Sequence, residues 1–263
     1  FYKNDGIRLE IINRKISVRT LSDNFGSYTR IEIRNLTQNG TLKIKGLSPK
    51  TAENPYNDNF IVEIRSNGMQ ILNLVNIEKY VAGVVEAESG KDRPMEYYKV
   101  QSIISRTYAL ANIRRHADEG FQLCDQVHCQ VYNGKSRFVP IIKQAVAATR
   151  GIVMVDSDIN LASAAFSSNC GGKTRNSEDV WSKKLSYLKT VTDTFCLQSE
   201  HTAWKKSIDL STWKSYKKKH ALDNTHAIQA GMGASIDNTY SEFIYNKRNL
   251  LSIRYYFKLN STR

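Results

Sequence analysis

Apolar and polar side chains alternate through the first 75 residues of the chain. The segments RKISVRT (14–20), TRIEIRN (29–35), TLKIKG (41–46), FIVEIRS (60–66) and MQILNLV (69–75) each put every second residue on one face. That is the period of a half-buried β-strand. QNG and SNG separate some of these runs and read as turns. The pattern predicts a small antiparallel sheet region. SPKTAENPYNDN (48–59), rich in turn formers, is expected to be an exposed loop.

At Asn76 the period changes from two to 3.6. Asn76 is a helix cap, and Ile77, Tyr80, Val81, Val84 and Val85 then share one face. Glu88 extends that apolar stripe, Glu86 reads as an ordinary exposed carboxylate, and Gly90 ends the helix. A second helix is expected from Asp92 to about His116, with Pro94 in its first turn. Its core stripe would be Val100, Ile103, Ile104, Thr107 and Ala111, with Tyr108 beside it. IIKQAVAAT (141–149) reads as a short helix, GIVMV (151–155) as a buried strand and LASAAF (161–166) as another. A Gly-Gly loop and a mixed helix-and-strand tail follow. The class is α+β: a β-rich region over 1–75, and over 76–263 a mixed helix and strand region built around a groove and able to interlock with the first.

Composition narrows the partners. The 263 residues carry 38 Lys and Arg against 25 Asp and Glu, a formal net charge of +13. Such a field favours an anionic neighbourhood such as a wall polymer, a lipid surface or nucleic acid. The basic residues are dispersed and form no DNA- or RNA-reading motif, so no specific nucleic-acid partner is expected. No run of some eighteen apolar residues is present to span a bilayer. FYKNDG at the start lacks the apolar core of a signal peptide.

Three segments hold candidate chemistry. Glu88 is a carboxyl group on an apolar stripe, where burial favours the protonated acid and suits a proton donor. A pairing with Arg106 or Arg114, or a place on a fraying helix end, is the plainer alternative. CDQVHC (124–129) concentrates two thiols and an imidazole in six residues. Cys124 and Cys129 suit zinc as thiolates, with a nitrogen of His116 or His128 completing the set; the C-x4-C spacing leaves a disulfide or unligated thiols open. The steric awkwardness of adjacent ligands 128 and 129 slightly favours His116, and QVY (130–132) is expected to lead into a strand. SSNCGG (167–172) combines glycines and small polar residues that let a polymer approach the backbone. Its Cys170 is a weak candidate nucleophile, or a partner for Cys196 in a bridge. Asp179, Trp181 and Tyr187 follow; the aromatic pair would either stack on sugar rings or pack in the core.

Read together and in order, YVAGVVEAES (80–89), VQSIISRTYAL (100–110), CDQVHCQVYNG (124–134), AVAATRGIVMV (145–155) and FSSNCGGKTRNSEDVW (166–181) resemble the stage II sporulation protein D family of peptidoglycan lytic transglycosylases, which share a domain with amidase enhancers. The resemblance is strongest over residues 70 to 195. It implies cleavage of the β-1,4 bond between N-acetylmuramic acid and N-acetylglucosamine in glycan strands without stem peptides, leaving 1,6-anhydromuramoyl ends. The family's V-V-x-x-E glutamate falls at Glu88; Ser89-Gly90 stand where the motif usually continues Met-Pro. Glycan contacts are implied for Arg106, Tyr108, Gln130, Tyr132, Ser167, Ser168, Asn169, Gly171, Gly172 and Trp181. Some members bind zinc through a cysteine-rich middle motif, which Cys124 and Cys129 preserve; the ion would be structural or position the groove. Asp125 and Asp179 would be electrostatic helpers at most. Glycan strands, other sporulation wall-remodelling proteins and an amidase are the implied partners. The implied location is extracytoplasmic and wall-facing, compatible with a membrane anchor outside this chain.

Overall fold

The computed structural model describes residues 6–198, apart from 38, 39, 66, 67, 138, 168 and 182, together with 211 and 215. Ser168 and the mixed tail therefore lie outside the described residues. The chain divides into two compact units, Phe1–Ala165 and Phe166–Arg263.

Eight strands precede the helices of the first unit: β1 (Arg8–Ile12), β2 (Lys15–Arg19), β3 (Asn24–Tyr28), β4 (Arg30–Ile33), β5 (Thr41–Ile44), β6 (Asn54–Asn57), β7 (Asn59–Arg65) and β8 (Gly68–Leu74). They form three antiparallel groups, β1-β2-β3, β4-β7-β8 and β5-β6. The alternating runs became β2, β4, β5, β7 and β8, as the period predicts. Three strands, β1, β3 and β6, escaped the pattern. β1 turns back on β2 through Asn13 and Arg14, both at positive φ, the geometry of a two-residue hairpin without the usual glycine. β3 is exposed at every position, so it carries no alternation to read.

The expected loop at 48–59 is corrected in part, because its Asn54–Asn57 pair with β5 as β6. Tyr56 explains this: its ring packs edge-on against Phe60 at 5.4 Å and against Tyr132 at 6.2 Å. Burial of that ring outweighs the turn-forming composition around it.

Three helices follow: α1 (Ile77–Ser89), α2 (Met95–Ala111) and α3 (Pro140–Ala148). The fold is α+β. Asn76 caps α1 by accepting the Glu78 N–H at 2.9 Å. Asp58, at the β6–β7 junction, accepts the Asn76 N–H at 2.9 Å and pairs with Lys79. The start of α1 is thus tied to the sheet, which fixes where its far end, carrying Glu88, emerges. Val81, Val84 and Val85 are fully buried with Tyr80, Tyr98, Ile142, Ala145 and Val146. Each buried valine contributes roughly 1.5–3 kcal/mol.

Of the stripe expected on α2, Thr107 is fully buried and Ile103, Ile104 and Tyr108 are half-buried. Val100 is 57% exposed and Ala111 is exposed, whereas Tyr98, Gln101, Ser102, Ser105, Arg106, Thr107 and Ala109 face inward. The inward polar groups are hydrogen-bonded locally. Ser102 Oγ donates to the Tyr98 carbonyl at 2.6 Å and Thr107 Oγ1 to the Ile103 carbonyl at 2.7 Å. Arg106, 1% exposed, grips Glu78 of α1 with two bonds of 3.0 and 2.6 Å and donates to the Ile152 carbonyl at 3.0 Å. One ion pair therefore locks α1 to α2. Arg106→Ala leaves Glu78 without that partner inside the fold, and is expected to cost about 3–5 kcal/mol in chemical denaturation. A loss below about 1 kcal/mol would mean the pair is dispensable.

Neither GIVMV nor LASAAF is a strand. The two segments meet only through an isolated bridge between Val155 and Leu161. Ile152 and Val155 are about half exposed. A tight turn held by Asp156, which accepts from Asp158 N and Asn160 N at 2.9 Å each, leaves no room for a ladder. Among the described residues, no helix is long and apolar enough to cross a membrane.

Candidate active site and metal centre

Glu88 lies in the last turn of α1, half-buried rather than fully enclosed by the apolar stripe. Its Oε1 accepts the backbone N–H of Val131 at 3.0 Å. Of the plainer alternatives, the pairing with Arg106 does not hold, because that guanidinium is turned to Glu78. Glu86 is not the free surface carboxylate expected from the pattern. It accepts from Ser136 Oγ at 2.7 Å and from Arg137 N at 3.1 Å, tying the loop after residue 132 to the helix.

The segment that meets Glu88 is held from several sides. Residues 130–132 form no strand, contrary to expectation. Instead Tyr132 N donates to the Asp125 carbonyl at 3.1 Å, and Tyr132 Oη donates to Asn73 of β8 at 3.0 Å. Tyr80 of α1 donates to Gln130 Oε1 at 3.3 Å, and its ring lies 5.0 Å from that of Tyr132. The close approach depends on Gly83. A Cβ there would lie 2.2 Å from the Gly134 carbonyl oxygen and 2.6 Å from the Tyr132 ring. Gly83→Ala should therefore cost about 1–3 kcal/mol or more in thermal or denaturant unfolding. An unchanged stability would show that the loop is free to move away.

Directly before this segment stand the thiols. The ligand atoms of His116, Cys124, His128 and Cys129 all lie within 4.8 Å of one another. Cys129 Sγ is 3.4 Å from His116 Nε2 and 3.8 Å from His128 Nδ1, and Cys124 Sγ is 3.8 Å from the same Nδ1. A tetrahedron with Zn–S of about 2.3 Å and Zn–N of about 2.0 Å has edges of roughly 3.3–3.8 Å. The spacing and the two-thiol, two-imidazole chemistry fit such an ion. Among the described residues, these four could hold a metal.

The two histidines, between which the sequence slightly favours His116, are set up differently. His116 Nδ1 faces Glu119 Oε1, whose carboxylate raises the imidazole above its ordinary value. This orients the lone pair of Nε2 toward Cys129, the arrangement in which metal-bound histidines are held from behind. Phe121 stacks on the same ring at 4.5 Å. His128 is exposed, and its Nε2 lies 3.2 Å from Arg115 Nη2. A guanidinium only donates, so it favours a proton on Nδ1, the atom facing the thiols. His116 is poised to ligate; His128 must first exchange its tautomer. Burial pushes the Cys124 thiol up, but the Gln126 N–H and the His128 ring outweigh it and bring it to about 7. Burial pushes Cys129 up.

The other expected contacts divide by exposure. Arg106, Gln130 and Tyr132 are buried and hold the frame, which leaves Arg106 no surface with which to meet a ligand. Tyr108 is half-buried, its hydroxyl accepting from Arg115 at 3.2 Å. Asp125 is exposed and accepts from the Gln126 amide at 2.9 Å.

In the second unit, Ser167, Gly171 and Trp181 are exposed, while Asn169 and Gly172 are buried. Asn169 Oδ1 accepts the Gly171 N–H at 2.7 Å, a turn that shapes the loop rather than a free donor. Asp179 is exposed and accepts from Asn176 at 2.9 Å. Tyr187 is 40% exposed, so neither it nor Trp181 is a core residue. Burial pushes the Cys170 thiol up to about 11, which disfavours the thiolate a nucleophile needs near neutral pH. Glu119, Glu86 and the Arg106–Glu78 pair were not found from sequence. Only the first left a signal, a His-x-x-Glu spacing.

Residues 65–155, which carry Glu88, the cluster and most of the helical core, match the family described as stage II sporulation protein. An uncharacterized protein of Brachyspira hyodysenteriae is 37% identical over 143 residues, covering 54% of this chain and 36% of that protein. The stage II sporulation protein D of Bacillus amyloliquefaciens is 28% identical over 162 residues, 56% of this chain and 46% of the relative. The amidase enhancer of Bacillus subtilis is 33% identical over 112 residues, 43% of this chain and 15% of the enhancer. The chain thus spans less than half the length of each of these relatives. These similarities place residues 65–155 in the family described as stage II sporulation protein, and the chain around them is similar to stage II sporulation protein D and the amidase enhancer.

Proposed function

We propose that this chain is a peptidoglycan lytic transglycosylase acting outside the cytoplasm on glycan strands stripped of stem peptides, with Glu88 as its general acid and base. The observation that carries the reading is Glu88, a carboxylate at the position of the family's glutamate, fixed by the Val131 N–H at 3.0 Å. A glycosidase that uses water or a covalent intermediate needs a second carboxylate at a defined separation. Glu86 is engaged with Ser136 and Arg137, and Asp125 with Gln126. Intramolecular attack removes that need. Glu88 protonates the glycosidic oxygen, the muramoyl 6-hydroxyl closes on the anomeric carbon, and the glutamate takes up the hydroxyl's proton. One C–O bond breaks, one forms, and no water is consumed.

Zinc held by Cys124, Cys129, His116 and His128 would act as a structural ion. When bound, it supplies a rigid cross-link and charge neutralisation of the thiolates. Cys129 is two residues from Val131, so fixing the sulfur fixes the amide that orients Glu88. The net charge of +13 suits an anionic wall. Exposed Trp181 and Tyr187 offer faces for sugar stacking.

The likeness to the amidase enhancer supports a second reading, a glycan-binding module that stimulates an amidase without cutting. Incubation with denuded strands, and separately with sacculi and an amidase, separates the two. Soluble glycan released by the chain alone is the expected result; stimulated amidase with no glycan release would favour the module.

A further inference from the structure

We propose that Cys170, Asp193 and Cys196 form a second zinc site, within the unit that begins at Phe166. Asp193 and Cys196 are three residues apart, and the backbone brings Cys170, 23 residues before Asp193, to them. Asp193 N donates to the Gly172 carbonyl at 2.9 Å, Lys173 bridges Thr192, and Thr174 N donates to the Val191 carbonyl at 2.9 Å. This short pairing sets Asp193 against the turn Cys170-Gly171-Gly172, whose glycines take φ of +70° and +93°. Cys196 then returns in a 3-10 turn, Phe195–Gln198.

Asp193 Oδ2 lies 3.4 Å from Cys170 Sγ and 3.2 Å from Cys196 Sγ, and the three ligand atoms are mutually within 4.8 Å. Around zinc, with Zn–S of about 2.3 Å and Zn–O of about 2.0–2.2 Å, the sulfur–oxygen edge is roughly 3.5 Å. The trio is near that shape. Its carboxylate is also aimed: Asp193 Oδ1 accepts the Phe195 N–H at 3.0 Å, which turns Oδ2 to the sulfurs.

A backbone amide also faces the sulfurs. The Cys170 N–H points at Cys196 Sγ at 3.4 Å. Amide donors stabilise a thiolate, the form a metal requires, and do little for the uncharged sulfurs of a disulfide. Two thiolates select a soft divalent ion such as zinc over magnesium or calcium. Binding exchanges one divalent cation for the two thiol protons, and the carboxylate enters already ionised. Three protein donors are the number zinc keeps where its fourth position takes water or another ligand.

Metal analysis of the full chain, purified under reducing conditions without chelator, should find about two zinc ions per chain. Cys196→Ser should lower this to one, and the double variant C124S/C129S should retain one. In that double variant, cobalt should give a thiolate-to-cobalt absorption band that disappears on adding Cys196→Ser. Should these serines impair folding, Asp193→Asn tests the site without touching a sulfur and should weaken zinc there by at least about 10-fold. Absence of zinc or cobalt in C124S/C129S, a wild-type content that Cys196→Ser does not change, or a peptide containing a Cys170–Cys196 disulfide would each overturn the proposal.

Discussion

Glu88→Gln should lower cleavage of denuded glycan by about 10²–10⁴-fold, the range general acid–base catalysis supplies. The amide has nearly the same shape and its carbonyl oxygen can still accept the Val131 N–H that Glu88 holds at 3.0 Å. Folding should therefore change by no more than about 0.5 kcal/mol. The loss belongs to the missing proton, while Glu86 stays hydrogen-bonded to Ser136 and Arg137 and Asp125 to Gln126. Glycan affinity should persist, so the defect is expected in turnover. Cleavage rates and glycan binding measured side by side check it. A variant that turned over within about threefold of the wild type would leave Glu88 as a residue that merely pins the Val131 segment.

The second large effect concerns the thiols and imidazoles before Val131. Replacing Cys124 and Cys129 together by serine should abolish zinc at that cluster and lower thermal stability, since structural zinc contributes folding free energy directly. The two histidines should separate. His116→Ala removes the ring that Glu119 orients and Phe121 stacks, and should release the ion. His128→Ala should cost less, because Arg115 holds that ring in a tautomer unsuited to ligation. Glu119→Gln, which keeps every ligand, should weaken zinc about 10–100-fold. Competition titration with a chromogenic chelator reads all three. Equal losses for His116→Ala and His128→Ala would contradict the difference drawn between them.

What could be read from the sequence followed from periodicity and local chemistry. The alternation in five strands, the Asn76 cap and the valine stripe of α1 are local, and each reappears in the structure. α2 defeated the same reasoning. Its buried face is polar, satisfied by carbonyls one turn back and by Glu78 across the helix pair, and no hydrophobic pattern encodes a partner 28 residues away. β3 and β6 carried no usable alternation, the first being wholly exposed and the second stabilised by aromatic contacts distant in sequence. At the site, the identities of Glu88, Cys124 and Cys129 were visible as motifs. Glu88's tie to Val131, the exclusion of Arg106 from the surface and the contrast between His116 and His128 arise only from tertiary placement.

The chemistry of the cut ends tests the central claim most directly. Denuded glycan strands digested by this chain and analysed by mass spectrometry should carry 1,6-anhydromuramoyl termini, and the Glu88→Gln protein should yield none. Termini that have gained water, with no anhydro product, would contradict transglycosylation and require a second carboxylate and a hydrolytic mechanism.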